Sequence, residues 1–176
     1  MVHSEIRKKI KKIKKQKKIF DIIQQKSILS KLKFELTNDQ KKSLNEINHD
    51  LKSNQKMFRL LQGDVGSGKT IVALSAAFNV VRSGFQVAVM APTEILAKQH
   101  YNLAKKIFDK KIKISILSSK SEYKEKKIIA QKLESKEIDI IFGTHSIFQK
   151  KIIFNKLGLI IIDEQHKFGE KKKKKL

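Results

Sequence analysis

The stretch "LQGDVGSGKT", residues 61–70, decides the fold. The chain has only seven glycines, and Gly63, Gly66 and Gly68 fall within six residues of one another. Followed by Lys69 and Thr70, they satisfy the phosphate-loop pattern G-x-x-x-x-G-K-[ST] without departure. Glycines let the backbone turn tightly and aim its N–H groups at phosphate oxygens. The Lys69 ammonium suits the β- and γ-phosphates of a nucleoside triphosphate, and the Thr70 hydroxyl suits Mg²⁺, a small hard cation that prefers oxygen. Gly63, Asp64, Val65, Gly66, Ser67, Gly68, Lys69 and Thr70 are therefore the candidate ATP-binding loop. A chance match to a glycine-rich turn is disfavoured by the flanks, which read as a strand before and a helix after.

Working outward, strand and helix signals alternate. The run "MFRLLQ" (57–62) predicts a short apolar strand leading into the loop. "KTIVALSAAFNVVRS" (69–83) predicts a helix whose N-terminal dipole faces the phosphates, with Gly84 suited to its end. "QVAVMA" (86–91), "KISILS" (113–118) and "IDIIFG" (138–143) predict strands, with helices at 94–108 and 122–135 between them. "LGLIIID" (157–163) reads as the most buried strand of all. Upstream, "TNDQKKSLNEINHDL" (37–51) predicts a helix capped by Thr37 or Asn38, with Leu44, Ile47 and Leu51 on one face. Continuous apolar strands separated by helices imply an α/β domain, a parallel sheet with helices on both faces.

A second chemical signal closes the last strand, in "LIIIDEQH" (159–166). Parallel strands point their carboxyl ends at the ligand crevice, which would bring Asp163 and Glu164 beside the phosphates. Asp163 is the candidate metal carboxylate, and Glu164 the candidate group that orients and deprotonates the attacking water. With no His or Cys cluster beside it, His166 suits a sensing contact between nucleotide and a neighbouring domain better than a metal site. His3, His49 and His100 read as surface or packing residues without evident partners.

Composition sets the outer bounds. A length of 176 residues suits one domain with a real core. There is no cysteine, which excludes disulfides and thiolate metal sites. Neither a secretory signal nor an 18-residue apolar run is present, so the expected compartment is the cytoplasm, with no membrane partner. The net charge of +23 is uneven. Residues 1–33 hold 12 basic and 2 acidic residues, whereas 34–166 hold 22 and 14. Such ends suit phosphate contact, but only Arg7, Arg59 and Arg82 are arginine, and the Lys-rich bias of an AT-rich genome explains much of the surplus equally well. Within 1–33, Ile6, Ile10, Ile13 and Phe20 recur at helical spacing, predicting a basic amphipathic helix that connects to a neighbouring domain.

Four stretches, "GDVGSGKT", "APTEILAKQH", "GTHSIF" and "DEQHKFG", occur in an order that resembles the first motor domain of superfamily 2 helicases, and most of all the RecG-like DNA helicases. Transcription-repair coupling and replication-restart helicases usually carry Glu where Gln165 stands. The resemblance covers roughly 34–169 and implies a RecA-like P-loop fold, with ATP and Mg²⁺ as cofactors. It implies ATP hydrolysis coupled to translocation on double-stranded or branched DNA, remodelling forks and junctions in recombination and repair. On the residues, it implies Phe34 and Gln40 on the adenine side, Lys69 and Glu164 in catalysis, and Gln165 and His166 in coupling. Pro92 and Thr93, with Gly143, Thr144 and His145, match the motifs that touch the DNA backbone, where contacts position but do not specify.

The expected organisation is a basic connector helix at 1–33, the first RecA-like helicase domain at 34–169, and a Lys-rich tail at 170–176. A second RecA-like lobe, its arginine finger, the Ser/Thr-Ala-Thr linking motif and the junction wedge domain are not found in the sequence. The expectation is a truncated or split lobe that turns ATP over very slowly by itself. A non-catalytic ATP- and nucleic-acid-binding remnant, and a lobe of a coupling or RNA helicase, stay open as alternatives.

Overall fold

The computed structural model describes residues 18–19, 30, 35–54, 56–118, 121–149 and 152–163. The segment expected as a connector helix, the tail at 170–176 and the stretch 164–169 lie outside these, apart from Lys18, Ile19 and Ser30.

Helix α1 (Asn38–Lys52) starts where the sequence places its cap. Thr37 Oγ1 accepts from the Gln40 N–H at 3.3 Å, and Gln40 Oε1 accepts from the Thr37 N–H at 2.9 Å. This reciprocal box satisfies two donors that a helix start otherwise leaves open. Leu44, Ile47 and Leu51 form its buried stripe. Helix α2 (Lys69–Arg82) is apolar almost all round, with Ile71, Val72, Leu74, Ala76, Ala77, Phe78 and Val80 buried. A helix of that kind belongs in the interior. It is packed by α1 on one side and by the sheet on the other. The buried amides of Asn48 and Asn79 pair at 2.7 Å across the α1–α2 seam.

Strands β1 (Gln86–Met90), β2 (Ile114–Leu117), β3 (Ile140–Gly143) and β4 (Leu157–Ile162) form one parallel sheet in the order β2-β3-β1-β4. Helix α3 (Glu94–Ile107) connects β1 to β2, and α4 (Tyr123–Glu134) connects β2 to β3. Alternation splits the core in two. Val87, Val89, Ile140 and Phe142 face the larger cluster with α1, α2 and α3, whereas Ala88, Met90, Leu117 and Ile141 face Ile129 and Leu133 of α4. The expected α/β architecture with helices on both faces is present.

Two elements differ from expectation. The run 157–163 does not form the most buried strand. β4 pairs only with β1 and is an edge strand among the described residues. Leu159 and Ile161 pack on the larger cluster, but Ile160 is 47% and Ile162 44% exposed. In register they flank Ala88 and Met90 on the α4 face, and the cover of α4 stops short of them. An apolar run reads the same whether one face is covered or two.

The run 57–62 forms no strand. It keeps a strand's alternation: Met57 and Leu61 pack on the core while Phe58 and Leu60 stand 70% and 66% exposed. Among the described residues no strand pairs with it, so it has no ladder there. Arg59 ties it down instead, to Glu46 at 2.6 Å and Asp50 at 2.8 Å on α1. Those carboxylates, the Asp50 hydrogen bond first, hold the guanidinium pKa above its ordinary value.

Candidate functional site

All strands run parallel, so their carboxyl ends share one edge of the sheet, where open α/β folds place ligands. The glycine loop reaches this edge through α2. Gly158, near the start of β4, lies so close to the far end of α2 that an added Cβ would meet Phe85 Cβ at 2.6 Å and Val80 Cγ1 at 2.9 Å. The C-terminal end of α2 thus sits at the beginning of β4. Fourteen helical residues span about 20 Å, and the six residues of β4 also span about 20 Å. Because α2 packs along β1 and β4, its start, with the loop, lies toward the carboxyl edge of the sheet.

The loop has the backbone its glycines predict. Gly66 and Gly68 lie at φ 83° and 77°, in the left-handed region that L-residues avoid. Gly68 is the N-cap of α2 with no side-chain cap, so the first N–H groups of the helix stay available to an anion. Residues 62–67 are exposed. Lys69 folds back over its own loop, its Nζ donating to the carbonyls of Gly63 and Asp64 at 2.7 Å each. Thr70 lies in the first turn of α2, partly buried.

Gln40 also belongs to this loop, because its Nε2 donates to the Ser67 carbonyl at 2.7 Å. A Cβ on Gly68 would collide with that amide. One side chain thus caps α1 and braces the glycine turn.

Asp163 follows β4 directly. Its N–H donates to Met90 O at 2.9 Å, extending the β1–β4 ladder by one residue. Its Oδ2 lies 2.8 Å from His100 Nε2. The contact suits the imidazole tautomer that carries its hydrogen on Nε2, because a carboxylate oxygen accepts. Sequence reading gave His100 no partner. The signal was available: His100 lies three residues after Ala97 and four before Ala104, both buried, on the sheet-facing side of α3.

The stretches expected to touch DNA lie at the same edge. Pro92 and Thr93 follow β1, and Thr93 Oγ1 caps α3 by accepting from the Leu96 N–H at 3.3 Å. Gly143 ends β3, and Thr144 and His145 follow it beside them, with Ala91 N–H donating to Gly143 O at 2.9 Å. Gly143 is itself buried, and an added Cβ there would meet Ile147 Cγ2 at 2.6 Å and Leu117 O at 2.8 Å, so packing alone requires glycine. Thr144 is half-buried and His145 exposed. Phe34, Glu164, Gln165 and His166 lie outside the described residues.

The residues present suit a magnesium nucleotide. Thr70 and Asp163 offer hard oxygen donors, and no cluster of three or more His, Asp or Glu forms a closed cage among the described residues. Mg²⁺ is usually held by one or two protein oxygens together with substrate phosphates and water. No described helix is long and apolar enough to cross a membrane.

A glycine loop at the head of a buried helix, on a parallel sheet whose β4 is followed by an acid, defines a RecA-like P-loop lobe. Residues 37–176 match the model of the DEAD/DEAH box helicases, and the chain belongs to that family. It is 47% identical over 150 residues to the ATP-dependent DNA helicase RecG of Staphylococcus aureus (strain NCTC 8325 / PS 47), covering 85% of this chain and 22% of that protein. Against RecG of Staphylococcus epidermidis (strain RP62A) the identity is 45%, with the same shares. A solved structure of RecG bound to a three-way DNA junction superposes with a TM-score of 0.83 at 41% identity, covering 92% of this chain and 22% of that one. The UvsW helicase of bacteriophage T4, at 18% identity and a TM-score of 0.58, covers 86% and 53% and shares the fold. The chain thus spans about a fifth of the RecG proteins it matches.

Proposed function

We propose that this chain is the ATP-binding lobe of a RecG-type DNA helicase. The observation that carries the reading is the glycine loop at the head of α2, with Gly66 and Gly68 at positive φ, in a chain 47% identical to RecG over 150 residues. In this reading the backbone amides around Gly66 and Gly68 and the Lys69 ammonium grip the triphosphate. Lys69 exchanges its bonds to Gly63 O and Asp64 O for phosphate oxygens of higher charge. Thr70 and Asp163 hold Mg²⁺, which when bound neutralises charge developing on the phosphates. Glu164 orients the attacking water, and Gln165 and His166 relay the nucleotide state to the rest of the motor. Phe34 stacks on the adenine side. Gln40, fixed to the loop by Ser67, stands with it.

Pro92, Thr93, Gly143, Thr144 and His145 meet DNA phosphates along the same edge. The work done is translocation on double-stranded DNA and remodelling of forks and junctions, in the cytoplasm. The matched length is 22% of the relatives, so the proposed work is that of the lobe acting together with the other RecG segments.

The test is an exchange. Staphylococcus aureus RecG, with its matched 150 residues replaced by those of this chain, should keep junction-stimulated ATP hydrolysis and lose it on Lys69→Ala. A folded exchange protein without junction-stimulated hydrolysis contradicts the reading.

A further inference from the structure

We infer that His100 is a positioning residue for Asp163, restraining the carboxylate that would hold Mg²⁺. The inference rests on the proposed role of Asp163 and goes beyond it, because His100 touches neither nucleotide nor metal in this account.

Three features fix the geometry. The imidazole sits on a helix rather than a loop, and its side chain is 13% exposed between the buried Ala97 and Ala104. The Asp163 backbone is anchored independently by its bond to Met90 O. The carboxylate is 33% exposed at the mouth of the site, and Nε2 holds Oδ2 at 2.8 Å. The last torsion of an aspartate is soft and nearly two-fold. A hydrogen bond to one oxygen restricts that freedom. Partners of this kind typically change metal affinity by about 10–100-fold when removed.

The discriminating experiment follows binding of a fluorescent ADP to the 176-residue chain with and without Mg²⁺. The wild type should bind more tightly as Mg²⁺ is added. His100→Ala should raise the Mg²⁺ needed by about 10–100-fold and leave Mg²⁺-free binding unchanged. His100→Gln, whose amide nitrogen also donates, should restore most of the loss. In an Asp163→Asn background, His100→Ala should add nothing further. The inference is overturned if His100→Ala leaves the Mg²⁺ response intact, if Mg²⁺-free binding falls by the same factor, or if His100→Gln fares no better than alanine. A wild type whose ADP binding ignores Mg²⁺ overturns the metal role of Asp163 itself, and this inference with it.

Discussion

Gln40 joins the first turn of α1 to the glycine loop, its Nε2 donating to Ser67 O at 2.7 Å while its Oε1 accepts from the Thr37 N–H at 2.9 Å. The two ends of one amide thus do separate work. Gln40→Ala leaves the Thr37 cap on the residue-40 N–H but should cost about 1 kcal/mol of stability through the lost bond to the Thr37 N–H, and weaken nucleotide binding by loosening the loop. Gln40→Glu keeps the acceptor but turns the donor into a second acceptor facing Ser67 O. It should retain stability in a thermal melt yet bind nucleotide less tightly. Equal nucleotide affinity of Gln40→Glu and wild type would count against the brace.

Gly68 has two reasons to be glycine. Its φ of 77° costs an L-residue about 1–2 kcal/mol, and a Cβ would strike the Gln40 amide. Gly68→Ala should destabilise the chain, and adding Gln40→Ala should recover part of the loss. Denaturant unfolding of the two single variants and the double variant checks this through their non-additivity.

Arg59 holds a run that has no β-ladder among the described residues. Its bonds to Glu46 and Asp50 fasten residues 57–61 to α1, at a site where all three side chains are about a third exposed or more. Pairs so open to solvent contribute up to about 1 kcal/mol each. Arg59→Ala should therefore lower stability modestly, with less effect in high salt, as urea titrations at two salt concentrations would reveal.

The outer face of β4 gives a paired prediction. Ile160 stands 47% exposed whereas Ile161 packs on the core. Uncharged apolar edge strands favour association with other chains. Ile160→Lys should leave the fold intact and reduce self-association at high concentration, whereas Ile161→Lys should unfold the chain. Light scattering and circular dichroism read the two outcomes.

Much of this architecture was legible because local signals agreed. The cap at Thr37, the stripe of Leu44, Ile47 and Leu51, and the glycines at positive φ each follow from the chemistry of one or two residues. What escaped was set by partners distant in sequence. The apolar runs 57–62 and 157–163 carry strand composition, but composition does not reveal whether a neighbouring strand or covering helix arrives. His100 and Asp163 are 63 residues apart, and their contact depends on how α3, packed on β2 and β3, reaches toward the end of β4. Among the site residues, the phosphate loop was the most legible because its pattern is contiguous. That Asp163 extends a ladder with β1 needed the sheet order.

The central claim is that the glycine loop and Lys69 bind a triphosphate whose magnesium faces Asp163. Calorimetric titration of MgATP into the chain tests it most directly, with Lys69→Ala and Asp163→Asn alongside. Charge-assisted hydrogen bonds contribute about 1.5–3 kcal/mol, so Lys69→Ala should weaken binding by about tenfold or more. Asp163→Asn should remove the tightening that Mg²⁺ brings. Binding of MgATP by Lys69→Ala as tight as that of the wild type would contradict the account.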